Sequence, residues 1–454
     1  MSLSERWIQG WRAPYSLTAM LPTAGASTEV LRRQLGEREP AILQALAGVT
    51  GLHALRIVVI DDDQHPPRLL VNSVSDEGSA EHRRGIAAAL APFVGDLVDA
   101  RPTTPATLEG ALREHGIRER TVFLASPGVS LAQIRKEARL REVLRAWIRE
   151  ARASGALDRM SLEEARLAAR AHVEERGDPT CASGPTPSTE GTWRRALDFV
   201  LTFLAFPPLG VLGKDVWLAA RALPSPARRT LATFGLALWW IWAAPFTALA
   251  FLTVRFAEAS EPDQDPEPAS DAKLRRIETV EDGRSKNELT VWFPVRPSVL
   301  GRALMRLVLF GAERGTRHLW TKGSLAGAQN IHFARLLLVD RGRRMVFMSD
   351  YQGSFDGYVD HFVGVGGHTR AVVPISSRVH GCPKTRWLYW PVDPVSFRTR
   401  WRAMARSYQR QASVRYIAYP DLSANDILRH REIRDGLFAD RLAPEQLQTW
   451  ARKI

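Results

Sequence analysis

Two ten-residue stretches decide the fold: LHALRIVVID, Leu52–Asp61, and IHFARLLLVD, Ile331–Asp340. His53 matches His332, Arg56 matches Arg335, and Asp61 matches Asp340. Runs this rich in Val, Leu and Ile read as strands buried on both faces. The match continues in RLLVNS (Arg68–Ser73) against RMVFMS (Arg344–Ser349). It resumes without gaps in FLASPGVSLAQIRKEARLR (Phe123–Arg141) against YIAYPDLSANDILRHREIR (Tyr416–Arg434). Three blocks in one order indicate two diverged copies of one module.

In the second copy the expected strands are Phe333–Asp340, Met345–Asp350, Arg370–Ile375, Arg386–Trp390 and Ser413–Ala418. Helices are expected near Ser354–Phe362 and Ser396–Arg410, and the first copy has one strand fewer. Ser130 and Ser423 follow a strand and a proline, with Gln133 and Asp426 three residues on, the pattern of a helix capping box. Strands and helices in this order give an α+β class, two ferredoxin-like modules. A ferredoxin-like sheet leaves one face to be covered, and a sister module covers it as a pseudo-dimer.

The boundaries expected are 1–182 for the first module, 183–256 for a linker and apolar segment, 257–297 for an acidic lead-in and 298–454 for the second module. Leu231–Val254 runs for 24 residues without a charge, enough for a membrane helix, or alternatively a buried core helix. Phe199–Gly213 is shorter and broken by Pro207-Pro208, suiting a re-entrant or interfacial segment. Glu258–Asp271 and Ser183–Thr192 read as solvated linkers. Ser298–Trp320 is a basic amphipathic pattern, fit either for an anionic lipid surface or for packing on its own domain. No cleavable leader is recognisable at Met1–Pro22, and the basic flanks place both modules on the cytoplasmic face of a bacterial inner membrane.

The formal net charge is +13, and Val291–Ile454 holds 26 Lys+Arg against 12 Asp+Glu, so the excess lies in the second half. No nucleic-acid signature accompanies it, and the lipid surface is the expected partner. Two cysteines, Cys181 and Cys382, exclude a disulfide framework, and no metal-ligand spacing is present; His380 with Cys382 is a loose pair.

Ligand-binding candidates are His53, Arg56, Ser349, Asp350 and Tyr351, and catalytic candidates are His332, Arg335 and Asp356. On a regular strand His332 and Arg335, three residues apart, face opposite sides. They share one pocket only if the strand is bulged; otherwise the pair reads as a core histidine and a surface arginine. Asp356 opens a polar strand-to-helix turn, where it either caps the helix or meets a ligand. A small apolar or amphipathic ligand held between the copies is the leading expectation.

Gly353-Ser354-Phe355-Asp356-Gly357 has the form GxxDG and resembles the motif of dye-decolorising peroxidases, which also pair two ferredoxin-like domains. That resemblance implies haem, with Asp356 above it and a downstream histidine, His430, on the iron; the family's distal arginine has no clear match. The IHFAR stretch and Ser349-Asp350-Tyr351-Gln352-Gly353-Ser354 also resemble a group of uncharacterised bacterial membrane-associated proteins.

Overall fold

The computed structural model describes residues 15–62, 65–76, 79–99, 102–117, 121–126, 128–176, 226–260, 262–282, 286–318, 323–325, 328–363, 372–387, 390–391 and 393–454. The first copy runs β1 (Tyr15–Pro22), α1 (Thr28–Ala47), β2 (Leu52–Asp62), β3 (His65–Ser75), α2 (Ser79–Val94), α3 (Pro105–Glu114), β4 (Thr121–Leu124), α4 (Leu131–Ala153) and α5 (Leu162–Arg176). Next come α6 (Pro226–Ser260) and α7 (Asp271–Asp282). The second copy runs β5 (Lys286–Pro294), α8 (Val299–His318), β6 (Ile331–Val339), β7 (Arg344–Gln352), α9 (Phe355–Val363), α10 (Val372–Ser376), β8 (Thr385–Trp387), β9 (Trp390–Pro391), α11 (Pro394–Tyr408), β10 (Ala412–Ile417), α12 (Ala424–Phe438) and α13 (Pro444–Ala451).

The fold is α+β, with two four-stranded antiparallel sheets compatible with two ferredoxin-like modules. Their strand orders are β1-β3-β2-β10 and β4-β6-β7-β5. Each sheet therefore ends on the other copy's last strand: β10 pairs with β2, and β4 pairs with β6.

Alternation along each strand separates two apolar faces. Leu55, Ile57 and Val59 face out to Leu31, Leu35, Ile86 and Leu90 of α1 and α2. In the other sheet, Leu289, Val291 and Leu336 face out to Met305, Val359 and Trp401. The inward set, Val58, Ile60 and Leu70 from one sheet and Trp292, Leu337, Val346 and Met348 from the other, packs sheet on sheet. The layers are helix, sheet, sheet, helix. Ser130 and Ser423 cap α4 and α12, and the reciprocal bond of a full capping box is present at Asp426.

Several elements differ from expectation. The leading strands β1 and β5 complete each module; LTAMLP (Leu17–Pro22) and LTVWFP (Leu289–Pro294) form a further repeated block, diverged at half its positions. Val372–Ser376 is a helical turn rather than part of a strand, because Pro374 offers no N–H to a ladder. The strand at Arg386–Trp390 is a two-strand hairpin apart from both sheets. α8 packs Leu304, Met305 and Leu309 into the body, as an ordinary amphipathic helix does.

The apolar stretch lies in α6, a single helix of 35 residues. Among the described residues no helix is long and apolar enough to cross a membrane, so the expected spanning segment has no support. Phe199–Gly213, Ser183–Thr192 and Cys181 lie outside the described residues. The acidic lead-in is largely exposed, and a few of its side chains tie it to the second copy. Glu258 accepts from Thr385 Oγ1 at 2.8 Å, Asp263 pairs with Arg400 at 2.9 Å, and Gln264 accepts from the Gly381 amide at 3.0 Å. Gly381 has φ +75°, and a Cβ there would stand 3.2 Å from Pro266 Cα.

Candidate functional site

A bulge builds the polar interior. The β2–β3 register steps from Leu52↔Ser75 to Ala54↔Val74, and the β6–β7 register steps from Ile331↔Tyr351 to Phe333↔Asp350. The extra residue is His53 in one copy and His332 in the other. An inserted residue shifts strand parity, so each histidine turns toward the same interior as the arginine three residues on. All four side chains are buried, which overturns the expectation of a surface arginine.

Each arginine crosses to the opposite sheet. Arg56 donates to Asp350 and, at 3.0 Å, to Thr290 Oγ1, with Glu288 at 3.6 Å. Arg335 donates to Asn72 Oδ1 at 2.5 Å and Ser16 Oγ at 2.8 Å. The duplicated arginines thus make related crossings: Arg56 hydrogen-bonds a carboxylate, while Arg335 hydrogen-bonds Asn72 and Ser16 and adds its charge to those that lower Asp350. Arg415 of the exchanged β10 reaches Asp350 at 3.3 Å and the carbonyls of Lys286 and Asn287 at 2.7 and 3.1 Å. Burial pushes the Asp350 carboxyl up, but the Arg56 and Arg415 charges outweigh it and hold it below its ordinary value.

The histidines differ. His53 Nε2 donates to Asp76 at 2.7 Å, and its Nδ1 meets the Tyr419 hydroxyl at 3.1 Å. Asp76 also accepts from the Leu131 amide, anchoring the start of α4. Among the described residues His332 finds no hydrogen-bond partner for either ring nitrogen, and it sits beside Phe333 and Tyr419. Burial, aided by the Lys286 charge, lowers its pKa to about 3. Burial and the neighbouring Arg415 charge lower Lys286 to about 8.

The structure therefore gathers His53, Arg56, His332, Arg335 and Asp350 into one inter-sheet network and excludes the other candidates. Ser349 and Tyr351 face the outer side of β7, where Tyr351 stacks on Tyr358 with centroids 4.3 Å apart. Asp356 is exposed in an open cleft of about 690 Å³ between α7, α9 and α11. There Arg406 pairs with Glu281 at 2.7 Å and lies 3.7 Å above the Phe355 ring. His430 is buried where α12 meets α4, accepting from Arg141 at 2.7 Å, with its pKa lowered to about 4 chiefly by burial. Asp356 and His430 line no common cavity among those described, and Arg141 donates to His430 Nε2.

Asp62, His65 and Asp340 bring ligand-type atoms within 4.8 Å of one another. Arg68 bridges both carboxylates at 3.0 and 2.9 Å, standing where a cation would stand. None of the four described cavities is lined by Arg56, His332, Arg335 or Asp350.

The network members that sequence reasoning missed are Ser16, Asn72, Asp76, Lys286, Glu288, Thr290, Arg415 and Tyr419. The Leu-Thr pair repeated in Leu17-Thr18 and Leu289-Thr290 was the available signal for β1 and β5. The fold and its interior define a class, a two-module α+β protein whose copies exchange strands. A scan against family models finds no match to the chain, and searches of curated proteins and solved structures find none either.

Proposed function

We propose that the protein docks on a lipid surface through α6 and binds an amphipathic ligand in the cleft between α7, α9 and α11. The observation that carries this reading is a row of exposed apolar side chains: Phe234, Leu238, Ile241, Leu249, Leu252 and Phe256. They recur at three- and four-residue spacings, or at multiples of them, so they follow one side of the helix. At about 1.5 Å per residue, α6 is roughly 50 Å long. Its stretch Leu231–Val254 carries no charge on any face. A helix–helix seam ordinarily has charged flanks, so the uncharged girth favours hydrocarbon over a second protein helix. The lead-in contacts to Thr385, Arg400 and Gly381 fix the end of α6 to the body.

For the ligand, the closed packing between the sheets supports an outer position. The cleft of about 690 Å³ joins apolar Leu274 and Phe355 to charged Glu281, Asp356, Arg402 and Arg406. Such a lining suits an amphipathic molecule. No observation favours the haem-dependent reading over this one.

Flotation with vesicles of phosphatidylethanolamine and phosphatidylglycerol tests the docking. The parent chain is expected to float, and a Phe234→Ser/Ile241→Ser/Leu252→Ser variant to stay behind. Equal flotation of the two, or none by the parent, contradicts the reading. An α6-dependent dimer in sedimentation velocity without vesicle binding assigns the row to a second copy instead.

A further inference from the structure

A second cavity, of about 430 Å³, lies on the other side of α7 from the cleft. The strand exchange creates it. Pairing β10 with β2 brings Arg410 and Gln411 of the second copy beside Arg32 and Asp61 of the first. α7 closes the cavity with Lys273 and Arg276. Four cations thus line the space with a single carboxylate. That carboxylate is shared: Asp61 meets Arg32 at 3.0 Å and Arg410 at 2.9 Å. Arg276 spends its Nε on the neutral Gln411 side chain at 2.8 Å, and Lys273 donates to the Ser407 carbonyl at 2.5 Å. The positive charge is therefore largely uncompensated.

We propose that this cavity is a binding site for a phosphate-bearing anion. Two independent features support it: a walled space contributed by both copies, and cations held in position by neutral or shared partners. Guanidinium forks and an ammonium converging on one space suit phosphate oxygens, with charge-assisted bonds stronger than neutral ones. Burial and the surrounding Arg410, Arg32 and Arg276 charges lower Lys273 to about 8, a strain that an incoming anion relieves. The site does not depend on the lipid-docking reading, since it lies apart from α6 and from the amphipathic cleft.

Isothermal titration calorimetry of the full chain with inorganic pyrophosphate at pH 7 tests the site. Saturable binding is expected. Lys273→Gln should weaken it by about tenfold or more, as the loss of one half-buried charge-assisted contact implies. Lys273→Arg should restore it, and Arg149→Gln, an exposed change on α4, should leave it unaltered. Sedimentation with phosphatidylcholine vesicles containing phosphatidic acid separates the two sources of phosphate. Pyrophosphate competition that Lys273→Gln abolishes assigns the site to a lipid headgroup; vesicle binding indifferent to both assigns it to a soluble phosphate compound. No saturable pyrophosphate binding, or unchanged binding by a folded Lys273→Gln variant, overturns the proposal.

Discussion

At the scale of residues, the duplicated arginines occupy related positions and carry unequal loads. Arg56 ends on the buried carboxylate of Asp350, whereas Arg335 ends on Ser16 and Asn72. Breaking a buried ion pair leaves a charge stranded, at a cost of about 3–5 kcal/mol. Removing Arg335 leaves unpaired polar atoms at Asn72 and Ser16, about 1–3 kcal/mol, and takes only a non-hydrogen-bonded charge from Asp350. Arg56→Met should therefore destabilise more than Arg335→Met in urea titrations, and the reverse order would contradict the assignment of the network. A second prediction concerns acid. His82, His332 and His430 have pKa values lowered to about 4, 3 and 4, in each case chiefly by burial. Below the unfolded value of roughly 6.5 the unfolded chain takes up protons that the folded chain does not. Their contribution is complete above that pH and is lost progressively as pH falls toward 4. Urea midpoints should decline from pH 7 to pH 5, and His332→Gln should reduce the pH slope by about one proton. An unchanged slope would mean that His332 titrates normally in the fold. Part of this was legible: pairing His53 with His332 and Arg56 with Arg335 singled out four network members. Their common orientation was not, because a bulge is a matter of register, and register belongs to the partner strand.

At the scale of elements, the repeat was legible wherever both copies keep the same burial. β2 and β6 are buried along most of their length, so both remain aliphatic and align. β1 and β5 were missed because Tyr15–Pro22 and Lys286–Pro294 agree only in Leu-Thr and the terminal proline. Even where they meet matched neighbours the chemistry has diverged: Ser16 offers a hydroxyl to Arg335, while Glu288 offers a carboxylate to Arg56. The acidic lead-in was legible in part, since most of it is exposed. Its Pro-rich, acidic composition reads as solvated, yet Asp263 and Glu258 each find a specific partner in the basic second copy. Composition reports the absence of a core of its own and is silent about a surface supplied by another element. Asp356 misled for a related reason, since a short GxxDG string fixes a turn without fixing what faces it.

At the scale of the whole molecule, two modules packed sheet to sheet were legible from the duplication, but the exchange of their last strands was not. Phe123 and Tyr416 occupy the same place in the repeat, so sequence alone permits either strand to sit beside β2. In the structure Tyr416 pairs with Leu55, and Phe123 pairs with Ala334, the residue matching Leu55. The exchange sets the polar interior by delivering Arg415 to Asp350, and it sets the cationic cavity by delivering Arg410 to Asp61. Disulfide trapping tests it directly, in a chain with Cys181 and Cys382 replaced by serine. Leu55→Cys/Tyr416→Cys should cross-link under mild oxidation, and Leu55→Cys/Phe123→Cys should not. Cross-linking of the second pair without the first would mean that each copy keeps its own last strand, and the account built on the exchange would fail.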